Sequence, residues 1–237
     1  MMSPAKPGLV LIPGLLCDAL MWKAQIEALE PEFKCWVADH TRSDTIAGVA
    51  ADVLRNAPFE RFALAGLSMG GYAAFEIVRR AAHRVQRLAL LDTSARADTS
   101  EQRRKREAFI ALAKRGRFVG VTQRLLPLYV HGDRQGDLEL VNTLKEMARN
   151  IGRDAFVRQE QAIMSRPDSL ALLATIACPT LVLCGRQDAL TPLARHEEIA
   201  RGISGATLKV IERCGHLSPL ERPAEVTEAL RAWLAAG

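Results

Sequence analysis

The chain has 237 residues, of which 49% are hydrophobic and 25% charged, with a net charge of +5, so it can bury a sizeable core in one domain or two. No apolar run reaches the roughly 18 residues of a membrane-spanning helix. The proline-containing start, Met1 to Gly8, is too short for a signal peptide's apolar region, which makes a cytoplasmic protein the expectation. Five scattered cysteines (Cys17, Cys35, Cys178, Cys184 and Cys214) contain no CxxC pair, which argues against a disulfide framework and against a zinc site.

In chain order, short β-branched and apolar runs alternate with helical patterns, the signature of βαβ units and a parallel sheet. Strands are predicted at Leu9–Ile12, Cys35–Ala38, Phe62–Leu67, Leu88–Leu91, Thr180–Cys184 and Thr207–Ile211. Continuous runs such as LVLI and TLVLC suit strands covered on both faces. Helices are predicted at Ala19–Leu29, Ile46–Leu54, Met69–Arg80, Pro192–Arg201 and Pro219–Leu234. Thr191 before Pro192 reads as a capping hydroxyl, and Ser218-Pro219-Leu220-Glu221 reads as a cap with a capping-box glutamate.

The alternation breaks once. From Ser94 to about Ile176, Arg/Lys-rich helical segments run without a convincing strand, far longer than a βαβ crossover needs. An inserted helical cap over residues 95–176 is expected, with 1–94 and 177–237 forming the core. Residues 96–168 hold 15 Lys/Arg against 10 Asp/Glu, so this one segment accounts for the whole charge excess. The basic side chains cluster at Arg103, Arg104, Lys105, Arg106, Lys114, Arg115 and Arg117. Without interleaved aromatics or a recognised module they point to no nucleic acid. They read as a solvated helix face, with steering of anionic substrates as the alternative.

The strongest chemical signal is Gly66-Leu67-Ser68-Met69-Gly70-Gly71, directly after an apolar strand and before a helix. A serine with glycine two before and two after it matches the nucleophile elbow. The turn is too sharp for side chains at the flanking positions, and it presents the hydroxyl at a helix N-terminus. A serine needs a base. His83, His131, His196 and His40 read as surface or capping histidines. His216, in Cys214-Gly215-His216-Leu217-Ser218-Pro219, lies in the loop after the last strand, where it can reach the sheet's carboxyl edge. The carboxylate that orients it is expected at Asp188, in the long loop after the fifth strand, with Asp92 at the end of the fourth as competitor. Asp39 reads as a loop carboxylate.

With these blocks in place, the sequence resembles the α/β-hydrolase superfamily, in the chain order Ser…Asp…His. The stretches LVLIPGLLCDALMW, FALAGLSMGGYAAFE, TLVLCGRQDALTP and VIERCGHLSPLERP carry the likeness over nearly all of the chain outside the insert. It is most similar to small carboxylesterases and enol-lactone hydrolases. The resemblance implies a six-stranded, mostly parallel sheet in the order 2-1-3-4-5-6, with helices on both faces. It implies an oxyanion hole from the backbone N–H groups of Leu15 and Met69, although Pro13-Gly14 stands where many relatives have His-Gly. It also implies a serine hydrolase that cleaves small to medium carboxylic esters through an acyl-enzyme, without metal or organic cofactor. A substrate pocket is expected along Leu16, Cys17, Leu125, Leu126 and Tyr129, with Phe118 and Leu128 nearby. Lactone, thioester and C–C bond hydrolysis, or non-catalytic ligand binding, are the alternatives the fold also hosts.

Overall fold

The computed structural model describes residues 6–116, 118, 120–122 and 125–236. Six strands, β1 (Gly8–Ile12), β2 (Lys34–Val37), β3 (Phe62–Leu67), β4 (Val85–Leu91), β5 (Thr180–Gly185) and β6 (Thr207–Ile211), pair in the order β2-β1-β3-β4-β5-β6. Every pairing is parallel, as the resemblance implied. β4 starts three residues before the predicted Leu88: Gln86 and Arg87 interrupt the apolar run, but Val85 and Arg87 still pair with Phe62 and Ala63.

Alternate strand residues feed two cores, because successive side chains point to opposite faces. On one face Leu9, Leu11, Leu67, Leu91 and Leu183 pack with Leu29 of α1 (Lys23–Leu29) and with Leu230 and Trp233 of α10 (Pro223–Ala235). On the other, Val10, Ile12, Leu64, Leu90 and Val182 pack with α2 (Ile46–Asn56), α3 (Met69–Ala81) and α8 (Leu193–Gly202). Covering both faces is what made the strands read as unbroken apolar runs.

Between β4 and β5 lie α4 (Ser100–Lys114), α5 (Leu126–Tyr129), α6 (Leu138–Met164) and α7 (Leu170–Leu173), with no strand among the described residues. Val121, Leu126, Val130, Leu144 and Met147 join the same apolar cluster as Leu9 and Leu11. α6 is two helical stretches joined at Gly152, whose φ of 74° and ψ of 172° are non-helical.

Three helix starts depart from expectation. The chain enters α1 through a 3-10 turn at Ala19–Trp22, where Asp18 accepts from the Leu20 amide. α8 begins at Leu193, with Pro192 at its N-cap and no side-chain cap, because the Thr191 hydroxyl is bonded to Asp188 instead. The helix expected over Pro219–Leu234 is broken into α9 (Ser218–Glu221) and α10. Pro223 disfavours a helical Arg222, which sits at φ −134° and ψ 59°.

Candidate active site

Ser68 is the single residue between β3 and α3, at φ 53° and ψ −112°. That backbone is unfavourable for a non-glycine residue. It is held by the Ser68 amide donating to Leu91 O at 2.9 Å, and by the Thr93 hydroxyl and Gly71 amide donating to Ser68 O at 2.8 and 2.9 Å. The flanking glycines are steric necessities. A Cβ on Gly66 would stand 2.3 Å from Gly70 O, and one on Gly70 would stand 2.2 Å from Ile12 O.

The structure brings Ser68, His216 and Asp188 into one line. His216 Nε2 is 2.9 Å from Ser68 Oγ, and its Nδ1 is 2.8 Å from Asp188 Oδ2. With Asp188 ionised, Nδ1 carries the hydrogen and donates, which leaves Nε2 to accept from the serine hydroxyl. Asp188 also accepts from the Leu190 amide, the Thr191 amide and the Thr191 hydroxyl, at 2.8, 2.9 and 2.6 Å. Burial works against ionising Asp188, yet the charge and hydrogen bond of His216, with the Thr191 donors, hold its pKa below the usual carboxylate value. Burial likewise works against charging His216, but the Asp188 carboxylate outweighs it and leaves the pKa above the ordinary 6.5.

Asp92, the competitor just after β4, is fully buried and makes no hydrogen bond to His216. It accepts from the Gly185 amide at 3.1 Å, the Ser218 amide at 3.2 Å and the Ser218 hydroxyl at 2.6 Å. Burial first, and then the charge of Asp188, push its pKa well above normal. The hydroxyls expected as helix caps at Thr191 and Ser218 are therefore spent on these two carboxylates.

Asp92, Asp188 and His196 place potential ligand atoms within 4.8 Å of one another, but their chemistry does not suit a metal ion. His196 Nε2 accepts from the Thr93 amide at 2.8 Å, so Nδ1 must carry the ring hydrogen and has no lone pair to give. Burial lowers the His196 pKa to about 4, keeping the ring neutral. This residue, read as a surface or capping histidine, is fully buried. So is His40, which points at the loop after β1. His83 is exposed, and His131 caps Asp133 from the surface.

The loop carrying His216 is braced from the insert. The His216 and Leu217 amides donate to Tyr129 O at 3.0 and 3.2 Å. Glu221 is no capping-box residue for Ser218. Its carboxylate reaches back to accept from the Gly215 and Leu217 amides at 2.9 and 3.4 Å and from the His131 amide at 2.7 Å. Sequence reasoning missed this role because glutamate before a proline-started helix carries the same signature for either use.

After β1, Gly14 lies against the serine: a Cβ there would stand 3.5 Å from Ser68 Cβ. The Leu15 and Met69 amides find no acceptor among the described residues, while the Leu16 amide donates to Gln159 Oε1 at 3.1 Å. Leu16, Cys17 and Leu126 are buried, and Leu125 and Tyr129 are half-buried. Burial and the nearby Asp18 push the Cys17 thiol up to about 12, so it is a packing group. Leu128 faces solvent. An open groove of about 550 Å³ lies elsewhere, at the α6 kink, lined by Phe118, Ile151, Gly152 and Arg158 among others but by none of the triad-forming residues.

The basic cluster also divides. Arg103, Arg104, Lys105, Lys114 and Arg115 are exposed, and Arg117 lies outside the described residues. Arg106 departs from the solvated face. Its guanidinium turns inward to Asp98 at 2.9 Å and Glu160 at 2.7 Å, both of them buried. Buried carboxylates require such partners.

A strained serine at a strand-to-helix turn, a histidine from the loop after the last strand and a parallel sheet in this order are the pattern of one family. The family model for the alpha/beta hydrolase family matches residues 9–229. The chain belongs to the alpha/beta hydrolase family, and it is a hydrolase by membership. It is 25% identical over 235 residues to a pimeloyl-[acyl-carrier protein] methyl ester esterase of Vibrio campbellii, covering 89% of this chain and 87% of that one. Among solved structures it is similar to a thermophilic esterase from Thermogutta terrifontis, with 31% identity, a TM-score of 0.88, and 96% and 89% of the two chains covered. The enol-lactonase from Burkholderia xenovorans shares the fold, with 24% identity and a TM-score of 0.88 over 98% and 93% of the chains. Among the described residues of this hydrolase no helix is long and apolar enough to cross a membrane.

Proposed function

We propose that this hydrolase cleaves carboxylic esters of small molecules through a serine acyl-enzyme, with Ser68 as nucleophile, His216 as base and Asp188 as the orienting acid. The observation that carries the reading is the pair of contacts at 2.9 and 2.8 Å joining Ser68, His216 and Asp188. Ser68 Oγ attacks the ester carbonyl as its proton passes to His216 Nε2, and Asp188 stabilises the imidazolium that forms. The developing oxyanion is received by the Leu15 and Met69 amides, the latter at the N-terminus of α3. His216 then gives its proton to the leaving alcohol, and a water activated by the same histidine frees the acid. Every proton in this scheme is carried by His216, so the chemistry needs no metal or organic cofactor.

The likeness to the thermophilic esterase favours a carboxylic ester. A lactone is an intramolecular ester and uses the same steps, so the fold shared with the enol-lactonase sets the alternative substrate. Two measurements test the proposal. A panel of esters, lactones and thioesters ranked by kcat/KM should show turnover, with esters leading. A fluorophosphonate should label Ser68, and Ser68→Ala should lose on the order of 10⁴-fold or more in kcat. A Ser68→Ala variant keeping a tenth of the activity would end the reading. No turnover of any member, with Ser68 unlabelled, would leave a ligand-binding protein on this fold.

A further inference from the structure

Leu15 is the one proposed oxyanion donor that no regular element holds. Met69 is the first residue of α3, whereas Leu15 sits in a loop whose next residue, Leu16, has φ 59°. An L-residue in that region is strained and persists only where the surroundings over-determine it. The direction of the Leu15 N–H therefore depends on what grips the two peptide groups on either side of it.

One of those grips comes from far away. The Leu16 amide donates to Gln159 Oε1 at 3.1 Å, across 143 residues of sequence. Gln159 is fully buried on α6, in the insert. Its orientation is assigned by this bond: Oε1 accepts, so the amide nitrogen must donate, and it lies 3.0 Å from His40 Nε2. His40 is itself buried, and burial holds its pKa below the ordinary 6.5, so a neutral ring with its hydrogen on Nδ1 can accept that bond. The same Nε2 lies 2.9 Å from Gly14 O but has no hydrogen to give it in this tautomer; that carbonyl is held by the Cys17 amide, which donates to it at 3.1 Å. Gln159 thus grips the Leu15–Leu16 peptide through its N–H, while the Cys17 amide grips the Gly14–Leu15 peptide through its carbonyl. Because a trans peptide sets its N–H opposite its C=O, fixing Gly14 O on this side turns the Leu15 N–H to the other.

The same two segments are tied a second and third time. Arg158 Nε donates to Thr41 O at 2.8 Å, and the Ile46 amide donates to Ser165 Oγ at 2.9 Å. α6 is thereby clamped along the loop after β2, and Gln159 reaches the loop after β1 from a fixed base. Its amide has no other use: both polar ends are spent on this bridge, and a buried glutamine with no partner would be costly.

We infer that Gln159, with His40 behind it, is a positioning residue for the oxyanion hole, so that the insert controls turnover as well as access. This rests on the reading of Leu15 as an oxyanion donor. A donor displaced by about 1 Å can cost on the order of 10²-fold, and the loss falls on the transition state, since the ester oxygen carries little charge in the ground state.

The test compares Gln159→Met, similar in length but unable to bridge, with Gln159→Glu, whose carboxylate can accept from both the Leu16 amide and a His40 Nε2–H. For Gln159→Met, kcat should fall about 10- to 100-fold with KM within about twofold. Inhibition by an alkyl trifluoromethyl ketone, which forms a tetrahedral oxyanion on the serine, should weaken by the same factor as kcat/KM. Gln159→Glu should lose less on both readouts. An unchanged kcat in Gln159→Met overturns the inference, as does a loss that falls on KM with ketone inhibition intact. If Gln159→Met does not fold, a Gln159→Glu enzyme whose ketone inhibition and kcat fall by unrelated factors overturns it equally. Failure of the underlying reading is seen separately, as ester turnover that survives Ser68→Ala.

Discussion

At the residue scale, two carboxylates of the same type lie close together and do different work. Asp188 faces the imidazole, whereas Asp92 faces the amides of Gly185 and Ser218. Asp188→Asn should lower kcat on the order of 10⁴-fold, the scale of a wrong-tautomer defect. Asp92→Asn should act mainly on stability, by about 1–3 kcal/mol through lost acceptors. Steady-state kinetics beside denaturant unfolding separates the two, and the reverse ranking would move the acid to Asp92. The same contact predicts a pH profile. In the proposed mechanism turnover needs neutral His216, and the Asp188 charge raises the pKa of that ring above 6.5. The acid limb of kcat/KM should therefore fall at a pH above 6.5, and the residual activity of Asp188→Asn should show that limb moved to lower pH. Glu221 is legible only in three dimensions. Glu221→Ala strands three amides that now share its carboxylate, and thermal unfolding should report a loss of about 3 kcal/mol.

At the element scale, the glycines separate into those that contact forbids and those that conformation forbids. A Cβ on Gly70 would meet the backbone oxygen of Ile12 at 2.2 Å, and a backbone atom in β1 cannot yield. Gly70→Ala should therefore lose activity by displacing the elbow, even where circular dichroism shows a folded chain. Gly152, at the α6 kink, has nothing within 4 Å of its missing Cβ and only its φ of +74° to satisfy. Gly152→Ala should cost about 1–3 kcal/mol, because φ 74° with ψ 172° lies in a region essentially reserved for glycine, with kcat unchanged. The insert helices follow the same logic as the sheet: their apolar stripes join the core of Leu9 and Leu11. Tyr129 and Gln159, which accept from the His216 and Leu16 amides, stand on helices packed into that core.

At the scale of the whole molecule, the basic cluster around α4 resolves into pairs and a remainder. Lys105 pairs with Glu101 and Arg103 with Glu107, while Arg106 and Arg166 share Asp98. Among the described residues Arg104 and Lys114 on α4 and Arg115 just beyond it are exposed and make no ion pair. Screening over about 8–10 Å at physiological salt weakens so small a remainder. The kcat/KM of an acidic and a neutral ester should accordingly respond alike to added salt. A fall confined to the acidic ester would establish steering. If the expected pocket selects the substrate, substitutions at Leu125, Leu126 or Tyr129 should alter the ester-length profile. An unchanged profile would remove the insert from selectivity.

The sequence by itself determined the sheet and its chemistry-bearing edges. β3 and α3 were legible because an apolar strand, a glycine-flanked serine and a periodic helix each obey a local rule, and the order of β1 to β6 followed from the family those blocks resemble. The meeting of His216 and Asp188 beside Ser68 was legible because loops at the carboxyl ends of parallel strands converge. What only the tertiary structure decided are the long-range hydrogen bonds. Thr191 and Ser218 carried a correct local signal for helix caps, but a buried carboxylate competes for the same hydroxyl and wins, since leaving it unpaired costs more than an uncapped helix end. Gln159 and His40 carried no local signal for these bonds, and the local signal of Glu221 pointed to a helix cap instead. Each is polar, each is buried, and each has its partners in another segment, where no periodicity or spacing in the chain records them.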